Sequence, residues 1–333
     1  VRILLKINER ITDLEMRKLG RTGLKVAPIC FGGNVFGWTI DEATSYKVLD
    51  TYVEEGGNFI DTADVYSAWA PGNSGGESEV ILGNWMKARN NRDKLIIATK
   101  VGNPMGKDPN RRGLSRRRII EAVEESLKRL QTDYIDLYQS HIDDTDTPLN
   151  ETLRSYDDLV TQGKVRYIGA SNYSSWRLTR ALWESDKHEF ARYDCLQPVY
   201  HLMNRAEFER ELELLCLDQQ VGVINYSSLA SGFLTGKYRL GKDLPKTPRA
   251  INIQARYMND KGFALLEKMD KIAESHNATL SQIALAWLLA RPVITAPIAS
   301  ATTVEQTREL MGAVSIKLEK EDVAELDAAS AWK

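Results

Sequence analysis

Eight runs rich in apolar, β-branched and aromatic residues recur along the chain, at 27–33, 58–64, 95–101, 135–141, 165–171, 193–199, 221–228 and 293–300. Each has the length and bounding residues of a buried strand. Between most of them the periodicity changes to that of an amphipathic helix. Residues 41–55 place Ala43, Tyr46, Val48, Leu49, Tyr52 and Val53 at helical spacing, and 116–130 place Ile119, Ile120, Val123, Leu127 and Leu130 on one stripe. Ser115 is the N-cap candidate of the second helix. Alternating strands and helices predict a parallel sheet. Eight such units favour closure into a (β/α)8 TIM barrel over an open sheet.

Two stretches break the alternation. Residues 16–26 read as a hairpin turning at Arg21-Thr22-Gly23, placed to plug the N-terminal end of the barrel. Residues 230–253, rich in Gly, Pro, Lys and Arg, read as a long loop over the other end. Residues 1–15 lack a clear apolar core and cleavage site, and are read as an extension to a single barrel domain over 16–333.

Parallel barrels open all strand C-termini onto one face, where conserved chemistry is built from loops. Three of the predicted strands end there in ionisable residues: Asp61, with Tyr66 just beyond it, then Lys100 and His141. Alone, each has a bland reading. An Asp at a strand end is often a helix cap, a Tyr is usually a packing aromatic, a Lys is often solvated and a His is often structural. Brought together, they form a proton-delivery set for a carbonyl under reduction. Tyr66 would be the acid, Lys100 the charge that stabilises its phenolate, Asp61 the partner that orients Lys100, and His141 a donor to the carbonyl oxygen. No side chain can supply hydride, so a cofactor is required.

Composition narrows the partners. The chain has 333 residues, 43% hydrophobic and 27% charged, with a net charge of −2. Nothing in this balance favours nucleic acid or an acidic membrane surface. No apolar stretch reaches the ~18 residues of a membrane span, and a cytoplasmic location is expected. Cys30, Cys195 and Cys216 have no metal-ligand spacing and read as buried hydrophobes. No metal is expected.

The quoted motifs carry a resemblance. The run 58–66 (NFIDTADVY), followed by Gly76-Glu77-Ser78-Glu79 and Leu82-Gly83, resembles the aldo-keto reductase family. So do Ala98-Thr99-Lys100, the run 133–138 (DYIDLY) before His141, and 163–172 (GKVRYIGASN). The similarity covers roughly Met16 to Ala329. It implies a barrel that binds NADPH extended across its mouth without a Rossmann domain, with NADH as the lesser option. The family's catalytic tetrad falls on Asp61, Tyr66, Lys100 and His141.

The same resemblance implies a cofactor cradle. Ser171, Asn172 and Gln197 would hold the nicotinamide amide, and Tyr226 would stack on its ring. Asn34 and Asp61 are further cofactor-binding candidates. Ser227, Ser228, Leu229, Ala230, Ser231 and Lys237 would cover the pyrophosphate, with small residues admitting backbone amides. Ser300, Thr302, Gln306 and Glu309 would meet the adenosine, with Arg308 or Arg249 as candidates for a 2′-phosphate. Ser228, Ser300, Gln306 and Leu310 depart from common residues at their positions. Apart from the resemblance, Trp38 and Trp69, which follow the first strand and Tyr66, read either as an aromatic substrate pocket at the mouth or as loop packing. The expected partner is a small aldehyde, ketone or sugar, and homo-oligomers occur among relatives. The alternative reading is a non-catalytic, redox-sensing subunit like the potassium-channel β-subunits. Those carry Asn where this chain keeps His141.

Overall fold

The computed structural model of the chain describes residues 14–332, so the expectation for residues 1–15 falls almost wholly outside the described residues. A hairpin comes first: β1 (Arg17–Lys18) pairs antiparallel with β2 (Lys25–Val26). Thr22 turns it, donating through its backbone and its hydroxyl to Leu19 O at 3.1 and 2.6 Å. Eight parallel strands follow: β3 (Cys30–Gly32), β4 (Phe59–Asp61), β5 (Ile96–Val101), β6 (Ile135–Ser140), β7 (Val165–Ser171), β8 (Tyr193–Gln197), β9 (Gly222–Val223) and β10 (Ile298–Ala299). Their order runs β10-β3-β4-β5-β6-β7-β8-β9. Val223 bridges Ile294 in parallel, and Ile298 N donates to Asn225 O at 2.8 Å. The two edges of the sheet therefore meet, giving the (β/α)8 barrel.

The outer layer contains α1 (Glu42–Glu54), α2 (Glu77–Arg89), α3 (Arg116–Leu130), α4 (Leu149–Thr161), α5 (Ser175–His188), α6 (Glu213–Asp218), α7 (Ala250–Tyr257), α8 (Asp260–Ser275), α9 (Leu280–Leu289), α10 (Val304–Gly312) and α11 (Lys320–Ala329). Asp41 caps α1 and Ser115 caps α3, each accepting a backbone N–H three residues on.

Strand alternation divides the core in two. Cys30, Phe59, Ala98, Leu137, Cys195 and Ile224 point into the barrel, whereas Phe31, Ile60, Ile97, Tyr138 and Leu196 pack under the helices. The hairpin contributes Leu19 and Val26 to the inner cluster, both fully buried, so it closes the N-terminal end as its sequence predicts. Gly20 makes this fit possible. Its φ is +53°, and a Cβ there would lie 2.4 Å from Asp194 O and 2.7 Å from Gly222 N.

The structure corrects the sequence reading at several places, and of 293–300 only Ile298–Ala299 form a regular strand. Within 221–228 only Gly222–Val223 form a regular strand, although Ile224, Asn225 and Tyr226 still bond to the neighbouring strands. The segment 230–253 is not one loop. It begins with a 3-10 turn, Ala230–Thr235, and ends inside α7.

Candidate active site

Asp61 ends β4, Lys100 lies near the end of β5, and His141 follows β6 directly. Parallel pairing aligns these ends, and the three side chains converge with Tyr66 at the C-terminal mouth. Lys100 Nζ donates to Asp61 Oδ2 at 2.6 Å, to Thr62 O at 2.7 Å and to Tyr66 Oη at 3.0 Å. That uses all three ammonium hydrogens. Tyr66 Oη in turn lies 3.4 Å from Asp61 Oδ2. The His141 ring centroid is 5.9 Å from that of Tyr66, in edge contact.

Burial sets the protonation states. Lys100 and Asp61 are essentially inaccessible. Burial disfavours the Lys100 ammonium, but Asp61 and Tyr66 outweigh it and hold its pKa above the ordinary value. Tyr66 is pushed up to about 12, by burial first and by Asp61, against the opposing pull of Lys100. Lys100 pulls the phenol down, as the sequence reading expects of it, but desolvation is the larger effect and the net shift in the free protein is upward. His141 is held well below the usual histidine value, by burial and then by the Lys100 charge, and its Nδ1 has no hydrogen-bond partner.

The loop carrying Tyr66 is held from behind. Ser67 Oγ donates to Phe36 O at 2.6 Å. Asp64 accepts from Arg118 Nη2 at 2.6 Å, with both side chains fully buried. Burial and the neighbouring Glu79 push the Asp64 carboxyl up to about 7, against Arg118.

The remaining candidates fall into three groups. Near the tetrad, Ser171 Oγ donates to Gln197 O, and Asn172 Nδ2 donates to His141 O and Ser171 Oγ. Tyr226 Oη donates to Asn172 Oδ1 at 2.9 Å. Gln197 turns its Nε2 inward to Asp61 Oδ1 at 2.9 Å, leaving its carbonyl oxygen as the free end. The structure also brings in Gln139, which the sequence reading missed. Its Nε2 reaches the same Asp61 oxygen at 3.2 Å. The signal was present: Gln139 shares the inward face of β6 with Leu137 and His141, where an uncharged polar residue is out of place.

In the second group, Ser227, Ala230 and Ser231 all have left-handed φ, which folds the turn tightly. Ser228 is buried and donates to Ile298 O at 2.8 Å, tying this turn to β10 rather than facing the mouth. Ala230 is also buried, and Leu229 packs against the outer core. Lys237 Nζ lies 3.6 Å from where a Cβ on Gly232 would be. Arg249 stacks over Trp38 at 5.2 Å. Burial lowers the pKa of both cations, and Arg249 lowers Lys237 further. Neither forms an ion pair with a described carboxylate. Two such cations suit a bound anion such as a pyrophosphate.

The third group flanks the start of α10. Ser300 Oγ donates to Asn34 Oδ1 at 2.6 Å, and Thr302 donates through its backbone and hydroxyl to Gln306 Oε1. The Glu309 carboxylate accepts from Thr279 at the start of α9. Arg308 is 57% exposed and lies 3.6 Å from Glu55. At the rim, Trp38 and Trp69 meet edge to face at 5.6 Å, and Trp69 touches the Tyr66 ring at 5.9 Å.

Among the described residues, no group of three or more His, Cys, Asp or Glu is placed to hold a metal, and no helix is long and apolar enough to cross a membrane. The chain is 38% identical over 314 residues to an uncharacterized oxidoreductase of Bacillus subtilis, covering 92% of this chain and 93% of that protein. It is 33% identical to a probable voltage-gated potassium channel subunit beta of Arabidopsis thaliana, covering 91% and 92%. It is 31% identical to a norsolorinic acid reductase of Aspergillus flavus, covering 92% and 78%. The model of the aldo/keto reductase family matches residues 28–331. With a closed barrel, converging strand ends and these relatives, the chain belongs to the aldo/keto reductase family and is an oxidoreductase.

Proposed function

We propose that this protein is an NADPH-dependent reductase of an aldehyde, ketone or sugar carbonyl, with Tyr66 as the general acid. The observation that carries the reading is the bonding of Lys100 Nζ to both Asp61 and Tyr66 at the barrel mouth. The bound nicotinamide would supply a hydride to the carbonyl carbon. All other steps belong to the protein's own side chains.

Tyr66, protonated across the neutral range, delivers its hydroxyl proton to the carbonyl oxygen. The O–H bond of the phenol breaks, an O–H bond forms on the product alcohol, and a phenolate remains 3.0 Å from the Lys100 ammonium. That charge pair, absent before the transfer, favours the transition state over the ground state. His141 is neutral and is not the acid; its N–H orients the carbonyl oxygen. Solvent returns the proton to Tyr66 after the alcohol leaves.

Ser171, Asn172 and the free carbonyl of Gln197 would hold the nicotinamide amide, and Tyr226 would support its ring. Lys237 would meet the pyrophosphate, which both nucleotides carry, and Arg249 would meet the 2′-phosphate, which favours NADPH over NADH. Asn34, Ser300, Thr302 and Gln306 line the expected adenosine end. Trp38 and Trp69 would give the substrate an aromatic wall.

The similarity to a channel β subunit supports a second reading, a non-catalytic NADP(H)-binding subunit of a larger assembly. His141 beside Tyr66 favours the enzyme. The test is NADPH oxidation across a carbonyl panel that includes 4-nitrobenzaldehyde, repeated with NADH and with Tyr66→Phe. Turnover that drops ~10²–10⁴-fold in Tyr66→Phe, with unchanged NADPH affinity, is expected. Turnover unaffected by that substitution removes Tyr66 as the acid, and no turnover with any carbonyl favours the subunit.

A further inference from the structure

Asp61 is a carboxylate with almost no access to water. An ionised carboxylate has about four acceptor sites, and a buried one must have them filled by the protein. Its two oxygens are filled from opposite sides. Oδ2 faces Lys100 and Tyr66. Oδ1 accepts from Gln139 Nε2 at 3.2 Å and Gln197 Nε2 at 2.9 Å, and the two amides touch each other at 3.4 Å. From this we infer that Gln139 is a positioning residue for the reduction: with Gln197 it clamps Asp61 Oδ1, fixing which oxygen meets Lys100 and Tyr66 and how much negative charge Tyr66 feels. The inference rests on Tyr66 being the proton donor.

Three observations support it. Gln139 is fully buried, and its register partner on β5 is Lys100. Space for it is made by Gly169 on β7, where a Cβ would meet Gln139 Cγ at 3.2 Å and Cys195 O at 3.1 Å. An amide is also the group whose charge suits the place. Two neutral donors stabilise the carboxylate while leaving the Asp61–Lys100 pair uncharged overall. A cation at 139 would compete with Lys100 for Asp61, and an apolar residue would leave Oδ1 short of a donor. The other titratable groups facing this end of the barrel are Lys100, Tyr66 and His141 at the mouth, with Cys30 on β3 and Cys195 on β8 below.

Two variants test the inference, each assayed with 4-nitrobenzaldehyde and NADPH and titrated with NADPH by fluorescence. Gln139→Met keeps the length and removes the donor. Its kcat is expected to fall about tenfold, with KM and the NADPH Kd within about threefold of wild type. A purely structural role would instead weaken binding and folding together. Gln139→Glu is the isostere that titrates. Protonated, it donates to Asp61 as the amide does; ionised, it sets a second anion beside it. Its kcat is expected to stay within about threefold of wild type at pH 6 and to fall about tenfold or more below wild type at pH 9, through an ionisation that wild type lacks. If Gln139→Met does not fold, the Gln139→Glu profile alone decides. A wild-type pH profile in Gln139→Glu, or wild-type kcat in Gln139→Met, overturns the inference while a dead Tyr66→Phe leaves the acid in place. An active Tyr66→Phe overturns both.

Discussion

The amide nitrogen of Gln197 lies 2.9 Å from Asp61 Oδ1, facing into the barrel, so only its carbonyl oxygen is left for a ligand at the mouth. One side chain therefore belongs to both the expected cofactor cradle and the buried carboxylate. Gln197→Met should weaken NADPH binding about five- to tenfold and lower kcat as well, because each end of the amide loses a hydrogen bond. Gln139→Met should lower kcat alone. Fluorescence titration beside steady-state kinetics separates the two, and equal effects on NADPH affinity would show that Gln197 does not reach the cofactor.

Lys100→Met leaves the Asp61 charge buried without its main partner. Such a loss typically costs about 3–5 kcal/mol of stability. Urea unfolding should show that loss, and kcat should fall with it because the phenolate of Tyr66 would lose its counter-charge. The double variant Lys100→Met with Asp61→Asn should recover much of the stability and none of the activity. A stable but inactive double variant would assign the pair to chemistry rather than to folding.

Cofactor discrimination should follow Arg249 and not Arg308. Arg308 is mostly in solvent near Glu55, whereas Arg249 is half-buried over Trp38 with no described carboxylate partner. Arg249→Ala should narrow the preference for NADPH over NADH about tenfold, on the scale of one charge-assisted phosphate contact. Arg308→Ala should leave it unchanged. Tighter binding of NADH than NADPH by wild type would place the 2′-phosphate elsewhere or nowhere.

The strand ends were readable because inward and outward positions differ in chemistry. Asp61, Lys100 and His141 each close an apolar run, and only a barrel gathers such ends at one mouth. Gln139 was missed because attention to strand ends passes over a polar residue inside a strand, and its partner Asp61 lies 78 positions away. The last two barrel strands proved shorter than their apolar runs. Pro297, which has no N–H to give, interrupts the approach to β10, and beyond Val223 the ladder continues only as single bonds and a bridge through Ile224, Asn225 and Tyr226. The fold of 230–253 depends on burial of Phe233, Leu234 and Ile253 against distant helices, which local Gly and Lys content does not reveal.

Acid should destabilise the protein through His201. This side chain is buried beside Tyr257, and burial pushes its pKa down to about 3. Its folded value lies below the unfolded value near 6.5, so below that pH the unfolded chain takes up a proton that the folded chain refuses. The resulting stability is fully present above pH 6.5 and declines as pH falls, by about 2 kcal/mol at pH 5. His141 titrates in the same direction. Urea midpoints at pH 7 and pH 5 should differ accordingly, and His201→Asn should be less stable at pH 7 but lose less on acidification. An unchanged acid slope in that variant would remove His201 as a cause.

Leu19 and Val26 close the far end of the barrel, which makes it a cup rather than a pipe. Whatever hydrogen Lys100 and Tyr66 trade with bulk water must cross the same rim that admits the ligands. A bound ligand therefore acts as a stopper on isotope exchange at the bottom of the cup. On the proposed mechanism the proton transfer would run without bulk water while the rim is occupied, and the resetting of Tyr66 would wait until the rim clears.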